Sequence, residues 1–325
     1  MDLYKFRLPN ESNSVIAKNV EDIRMLEGNL RKIFYKYSCK EVLMPIFEYV
    51  NLYKSVYKNL DESLLFKFIN KDGEDIVLRY DFTVPIARYF FSQKKDESIN
   101  YCYFGKVFRK EKELNGKNSE IYQAGVELIG WNDIDGDIKC LSLLKETLPL
   151  FGLPDLKIEL GSARFYNRLC ELIGIERKDE FSNLLFKKNI SGLRRFCEKY
   201  QIENKLRSFV ESLPRLNGNV EVLKNVIDTI QDDELRDSMI ELEELYERMK
   251  MKEQDLFDLA CVPSMDYYTG IIFKVYDKHV EEPIISGGRY DRLMDNFGKD
   301  VPAIGMAYYM DNIIKAKEKA GEENC

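Results

Sequence analysis

The sequence has a single histidine, His279, and no CxxC pair among its seven cysteines at positions 39, 102, 140, 170, 197, 261 and 325. Metal sites built from thiolates and imidazoles need their ligands at close, regular spacing. That spacing is missing, so no metal or cofactor is expected and the cysteines read as reduced thiols. A catalytic Cys–His or Ser–His pair would have to recruit His279, which sits in a charged turn between Lys278 and Glu281. That setting argues against nucleophilic catalysis of this kind.

Long apolar runs are also missing. Residues 303–310 form one of the longest, far short of the roughly 20 residues that cross a bilayer. The first ten residues carry Asp2, Lys5, Arg7 and Pro9 where a signal peptide would be apolar. A cytoplasmic protein with no membrane partner is expected. There is no basic excess either: the net charge is −7, and positive residues are interspersed with negative ones. Nothing in that charge pattern demands a long nucleic acid, whose phosphates reward a basic face.

What is present is an ordinary globular composition, with 45% hydrophobic and 32% charged residues in a chain of 325, long enough for a substantial core. Asn19 is positioned to cap a helix whose apolar residues Ile23, Leu26, Leu30, Ile33 and Tyr37 recur at helical spacing, ending near Ser38. A short strand over 41–45, stopped by Pro45, follows. Strands are expected over 76–80, 101–111 and 121–129. The last two should pair antiparallel across a loop containing Asn115 and Gly116. Pro85 falls early in an intervening helix, where proline is tolerated.

Leu156, Ile158 and Leu160 alternate with Lys157 and Glu159, giving a half-buried strand. Residues 162–254 are charged and helix-periodic, and read as a helical insertion subdomain between core segments 1–161 and 255–325. Strands return over 270–276 and 284–286, and the apolar block 303–310 leads into a final helix. The fold class is therefore α+β with a mainly antiparallel sheet, not a doubly wound α/β fold.

Three blocks carry more specific information. The first is Leu78-Arg79-Tyr80-Asp81-Phe82-Thr83-Val84-Pro85. The second runs Tyr103-Phe104-Gly105-Lys106-Val107-Phe108-Arg109 and resumes at Tyr122-Gln123-Ala124-Gly125-Val126-Glu127. The third is Met265-Asp266-Tyr267-Tyr268-Thr269-Gly270, with Gly287-Gly288-Arg289-Tyr290-Asp291 beyond it. In order and spacing, from about residue 8 to about residue 315, they resemble the class II aminoacyl-tRNA synthetase core of the histidine-specific type. The helix, strand and Pro45 resemble that family's dimer-forming first motif.

The resemblance implies a pocket for free histidine. Asp81 and Thr83 would face the ammonium with Gln123 nearby, and Glu127 and Tyr268 would meet the imidazole, whose two nitrogens need distinct partners. Arg109 matches the arginine of the second motif. Tyr267, Gly270, Gly287 and Gly288 would shape the floor and walls.

The chain departs from the synthetase pattern where ATP chemistry would be done. Amino-acid activation builds negative charge on phosphorus, which synthetases meet with arginines and magnesium. An arginine expected three residues before Asp266-Tyr267-Tyr268 is replaced by Pro263, and the arginine of the terminal motif by Asn312. An amide cannot replace that planar cation. Glu120 adds negative charge in the second-motif loop. The chain stops at Cys325, leaving no room for an anticodon-binding domain.

A retained histidine pocket without the activation machinery resembles the regulatory subunits of ATP phosphoribosyltransferase. That resemblance implies a non-catalytic partner of a short catalytic subunit, required for its activity in the first step of L-histidine biosynthesis. It also implies L-histidine as effector, a homodimer within a hetero-oligomer, and no tRNA. The alternatives are a divergent or truncated histidyl-tRNA synthetase that activates histidine using Arg109 and magnesium, and a pseudo-synthetase sensor serving another partner.

Overall fold

The computed structural model describes residues 8, 17–57, 60–93, 97–110, 118–252 and 255–323. Its centre is a long hairpin of β5 (Ile99–Phe108) and β6 (Glu120–Ile129), antiparallel as expected, with Glu127 opposite Tyr101 and Gln123 opposite Gly105. The expected loop residues Asn115 and Gly116 lie outside the described residues. Around the hairpin assemble β1 (Cys39–Glu41), β7 (Lys157–Ser162), β8 (Asn217–Gly218), β9 (Leu256–Asp258), β10 (Ile271–Tyr276), β11 (Ile285–Arg289) and β12 (Ala303–Tyr309). The strand order is β1-β5-β6-β12-β11-β10-β7-β9-β8. Only the β1–β5 and β7–β9 pairings of this sheet are parallel among the described residues. A smaller sheet, ordered β2-β4-β3, comprises β2 (Phe47–Tyr49), β3 (Lys67–Ile69) and β4 (Asp75–Leu78).

The period of two along each strand decides what the large sheet does. On β6, Ala124, Val126 and Leu128 point into the main core, as do Ile304, Met306 and Tyr308 of β12. The alternate residues Gln123, Gly125 and Glu127, and Gly305, Ala307 and Tyr309, therefore face the other way. Helices cover the core side. α1 (Ala17–Lys36) buries Leu26, Leu30 and Phe34, spaced by one turn, together with α4 (Asp133–Thr147) and α12 (Met310–Glu323). Each such side chain contributes about 1.5–3 kcal/mol of burial free energy.

Over the opposite face, α2 (Val50–Val56), α3 (Thr83–Ser92) and α11 (Asp291–Asp295) build a second, aromatic-rich cluster containing Tyr53, Tyr57, Phe82, Phe90, Tyr101, Tyr103, Tyr267 and Tyr290. Residues 163–249 form α5 (Ala163–Ile173), α6 (Lys178–Phe186), α7 (Ile190–Lys199), α8 (Asn204–Ser212), α9 (Glu221–Thr229) and α10 (Asp233–Met249). Their buried residues, including Phe165, Phe196 and Leu242, are continuous with the main core. Within this stretch β8 pairs with β9 and ends the large sheet.

Two local expectations change. Asn19 is not a cap, because α1 already begins at Ala17. The strand expected over 41–45 instead occupies Cys39–Glu41. Beyond it Val42 N–H still donates to the Cys102 carbonyl at 2.9 Å. The carbonyls of Met44 and Pro45 accept from Arg79 Nη1 at 2.8 and 3.0 Å, so a guanidinium takes acceptors that a ladder would have used.

Among the described residues no helix is long and apolar enough to cross a membrane.

Candidate functional site

The open face of the large sheet carries a cleft between the β5–β6 hairpin, the start of α3, the segment before β10, and β11–β12. All seven residues assigned to ligand binding from sequence line it: Asp81, Thr83, Arg109, Gln123, Glu127, Tyr267 and Tyr268. They are separated by up to 187 positions in sequence, Asp81 to Tyr268. The sheet brings them together.

Glu127 is the centre of the polar contacts. It is 2% exposed. The Thr83 hydroxyl donates to Oε1 at 2.8 Å, and the Tyr290 hydroxyl donates to Oε2. Burial disfavours the charged carboxylate more than these donors favour it, and the nearby Asp81 charge adds repulsion, so its pKa is pushed up to about 8. Its space comes from Gly305, directly opposite on β12, where any Cβ would collide with the carboxylate.

Asp81 precedes α3 and is buried. Oδ1 accepts the Val84 N–H of the first helical turn at 2.9 Å, and Oδ2 accepts the Tyr57 hydroxyl of the residue following α2. Burial raises its pKa, while Tyr57, Val84 and the charge of Arg109 oppose the shift. A carboxylate offers about four lone-pair sites, so two remain for a ligand. Arg109 is oriented by its Nε, which donates to the Tyr80 carbonyl at 2.9 Å, and its guanidinium lies 4.7 Å from the Tyr80 ring centroid.

The aromatic walls interlock. Tyr267 meets Tyr268 and Tyr290 edge to face, with ring centroids 5.3 and 5.8 Å apart. Phe82 stacks on Tyr103 at 4.0 Å. Of the glycines expected to line the cleft, Gly270, Gly287 and Gly288 do not. Gly288 instead backs Tyr268: a Cβ there would come within 2.8 Å of the ring. Gly270 admits the Arg289 side chain, and Gly287 admits Phe273 and the Gly305 carbonyl. Side-chain direction alternates along β11, so Gly287 points to the core side while Gly288 lies on the cleft face and makes room for the Tyr268 wall.

Tyr290, Tyr103, Met265 and Tyr309 belong to apolar or motif segments of the sequence that mark no role for them, and all four line the cleft with Gly305, Ser264 and Ser286. Tyr57 lies outside every motif. A faint signal exists, since Tyr53 and Tyr57 sit one helical turn apart at the end of a short apolar helix.

Outside the cleft lining, Asn312 Nδ2 donates to the Pro283 carbonyl at 3.0 Å, and the Glu120 carboxylate pairs with Lys106 Nζ at 2.5 Å on the exposed hairpin. The tyrosine-lined half of the cleft is thus rich in fixed polar partners around Glu127 and Asp81, with Arg109 as a cation among the lining residues.

The family model described as "Histidyl-tRNA synthetase" matches residues 13–313. Among curated proteins, the chain is 38% identical over 322 residues to an ATP phosphoribosyltransferase regulatory subunit of Lactococcus lactis subsp. lactis (strain IL1403), covering 98% of each chain. It is 30% identical over 329 residues to one of Bacillus thuringiensis (strain Al Hakam), covering 99% of this chain and 78% of that relative. Among solved structures, an ATP phosphoribosyltransferase regulatory subunit/histidyl-tRNA synthetase from Bacillus halodurans C superposes with a TM-score of 0.86 at 27% identity, covering 96% of this chain and 83% of that one. With the class II synthetase-like sheet and near-full-length similarity together, the chain belongs to the ATP phosphoribosyltransferase regulatory subunit family, built on the histidyl-tRNA synthetase core.

Proposed function

We propose that the protein is a non-catalytic subunit that binds L-histidine in the cleft and conveys its presence to a short ATP phosphoribosyltransferase catalytic subunit. That subunit would depend on it for activity in the first step of histidine biosynthesis. The carrying observation is the division of the cleft. Its amino-acid half is complete, with Glu127 held by Thr83 and Tyr290 and Asp81 held by Val84 and Tyr57. Its nucleotide half keeps Arg109 but has Pro263 and Asn312 at positions where the synthetase pattern has arginines.

In this reading Asp81 receives the ammonium and Arg109 the carboxylate, Gln123 adds a polar contact, and Glu127 and Tyr268 meet the ring beside Tyr267. Histidine that binds one state of the assembly better than another shifts the population, and a coupling of about 1–3 kcal/mol alters partner behaviour roughly 5- to 150-fold. Residues 162–254 act as a helical subdomain inserted into the core, and tRNA has no part. A second copy pairs through the segment around Pro45 and the adjoining small sheet, where Leu43 and Ile46, then Phe47, Tyr49, Phe68 and Ile69, are exposed. The cytoplasm is the proposed location.

Arg109 keeps a second reading open, a divergent synthetase that activates histidine with ATP. Two measurements separate them. On the proposed reading, the purified chain gives no histidine-dependent exchange of pyrophosphate into ATP, and its addition raises the activity of the short catalytic subunit. Robust exchange overturns the reading, as does a failure to bind or stimulate that subunit.

A further inference from the structure

Among the described residues, Glu127 faces no cation of its own. The groups packed against it are the hydroxyls of Thr83 and Tyr290, the rings of Tyr103 from β5 and of Tyr267 and Tyr268 from the segment before β10, and the strand backbone at Gly305. Cys140 of α4 lies behind it, and Asp81, the other carboxylate of the cleft, repels it. Arg109, a basic residue of the cleft lining, acts on Asp81. A second buried negative charge would therefore stand uncompensated, which is strongly unfavourable in such surroundings.

The charges balance in one way. Asp81 and Arg109 cancel, and a bound amino-acid zwitterion, placed ammonium to Asp81 and carboxylate to Arg109, adds nothing. Glu127 and the ligand side chain must then be neutral as a pair. We infer that Glu127 stands in the empty cleft as a carboxylic acid and passes its proton to a ring nitrogen of the ligand, so that the site selects an amino acid whose side chain is a base and holds it as a cation. This rests on the reading of the cleft as a histidine site and deepens it.

The step conserves atoms and charge: the Glu127 O–H bond breaks, an N–H bond forms on the ring, and the electron pair stays on the carboxylate. Thr83 and Tyr290 then each donate to one oxygen of the new anion. Both hydroxyls are already in place, so charging Glu127 needs no reorganisation of its partners. Tyr290 is a positioning residue in this scheme. An aromatic side chain of similar shape but without a basic nitrogen would leave the acid unpaired and lose its place.

The inference sets an affinity optimum. Free imidazole protonates near pH 6.5, and the acid in the empty site ionises at about 8. Below the lower limit binding must shed a proton, above the upper one it must take one up, and between them it needs neither.

The test uses the full chain, alone and with the catalytic subunit, and L-histidine labelled with nitrogen-15 in the ring. At about pH 7.5, between those two limits, nitrogen NMR of the bound ligand is expected to report an imidazolium with both nitrogens protonated. Calorimetry in buffers of different ionisation heat should show net proton uptake only above about pH 8. Glu127→Gln should weaken binding at least tenfold and abolish the uptake that belongs to this carboxyl, leaving that of the ligand's own amine. Tyr290→Phe should move the upper limb of the pH profile to higher pH, a change that a purely structural role would not produce. Bound histidine with a neutral ring overturns this inference and leaves the histidine site standing. No binding by either form overturns both.

Discussion

Glu127 on β6 lies directly opposite Gly305 on β12, and its carboxylate occupies the space that any larger residue at 305 would need. Gly305→Ala is therefore expected to act on the ligand site as well as on stability. The added Cβ also approaches the Val126 carbonyl at 2.8 Å, so overpacking should cost about 1–3 kcal/mol. Removing the carboxylate relieves part of that clash. A double-mutant cycle with Glu127→Ala, followed by denaturant unfolding, should give a favourable coupling of about 0.5–3 kcal/mol. Strict additivity would mean that the carboxylate does not occupy that space.

Glu127→Ala alone should weaken histidine binding by at least about 1 kcal/mol, because a buried partner of the ring is lost. Calorimetry measures this directly, and unchanged affinity would remove Glu127 from the site.

The pH dependence of stability has a definite sign. Burial raises the Glu127 pKa from its ordinary 4.5 to about 8. Between those values the folded state holds a proton that the unfolded state has released. The contribution of this group is thus full below pH 4.5 and falls as pH rises toward 8, by at most about 1.4 kcal/mol per pH unit. Asp137, raised from 3.8 to about 6 by burial, contributes in the same direction over its lower window. Subtracting the profile of Glu127→Gln from that of the parent chain isolates the first effect. A flat difference between pH 4.5 and 8 would refute it.

Much of the site was legible in sequence because three motif blocks resemble the histidine-specific synthetase core; of the seven residues only Gln123 and Glu127 lie on a strand. Gln123 and Glu127 share a face by period two, and the Asp81–Thr83 segment is marked by the turn into α3. What was hidden depends on register between distant strands. Nothing local to Tyr290 says that it reaches Glu127, because that contact needs β11 beside β12 and β12 beside β6. The small sheet was mostly unread for another reason: β3 is exposed at all three positions, Lys67, Phe68 and Ile69, so it has no alternation to detect. β8 and β9, two and three residues long, are below the length at which any period can be recognised.

Tyr57→Phe tests the support of Asp81. The hydroxyl donates to Asp81 Oδ2, and this bond opposes the rise caused by burial. Its loss should raise the Asp81 pKa further and cost about 1–3 kcal/mol, the penalty of a buried acceptor left without its partner. Carbon-detected NMR titration of the carboxyl and chemical denaturation report the two effects. Unaltered titration would show that Tyr57 only fills space.

Arg289 anchors the third block to the core, and the cost of disturbing it should be large. Its Nε and Nη2 reach Asp137 Oδ1 at 2.9 and 2.7 Å, and Nη1 reaches Asp291 Oδ1 at 3.1 Å, with the guanidinium side chain only 6% exposed. The Asp291 carboxylate in turn accepts the Ala303 N–H at 2.8 Å, tying the start of β12 to the same network. Asp137→Ala strands most of a buried positive charge, and the expected loss is about 3–5 kcal/mol. Arg289→Lys should recover little, since one ammonium cannot reproduce the fork. Because Tyr290 follows Arg289 directly, both variants should also loosen the hold on Glu127. Histidine affinity measured at a temperature where each variant remains folded should fall alongside stability. A variant that loses stability but binds histidine as tightly as the parent would separate the anchor from the site.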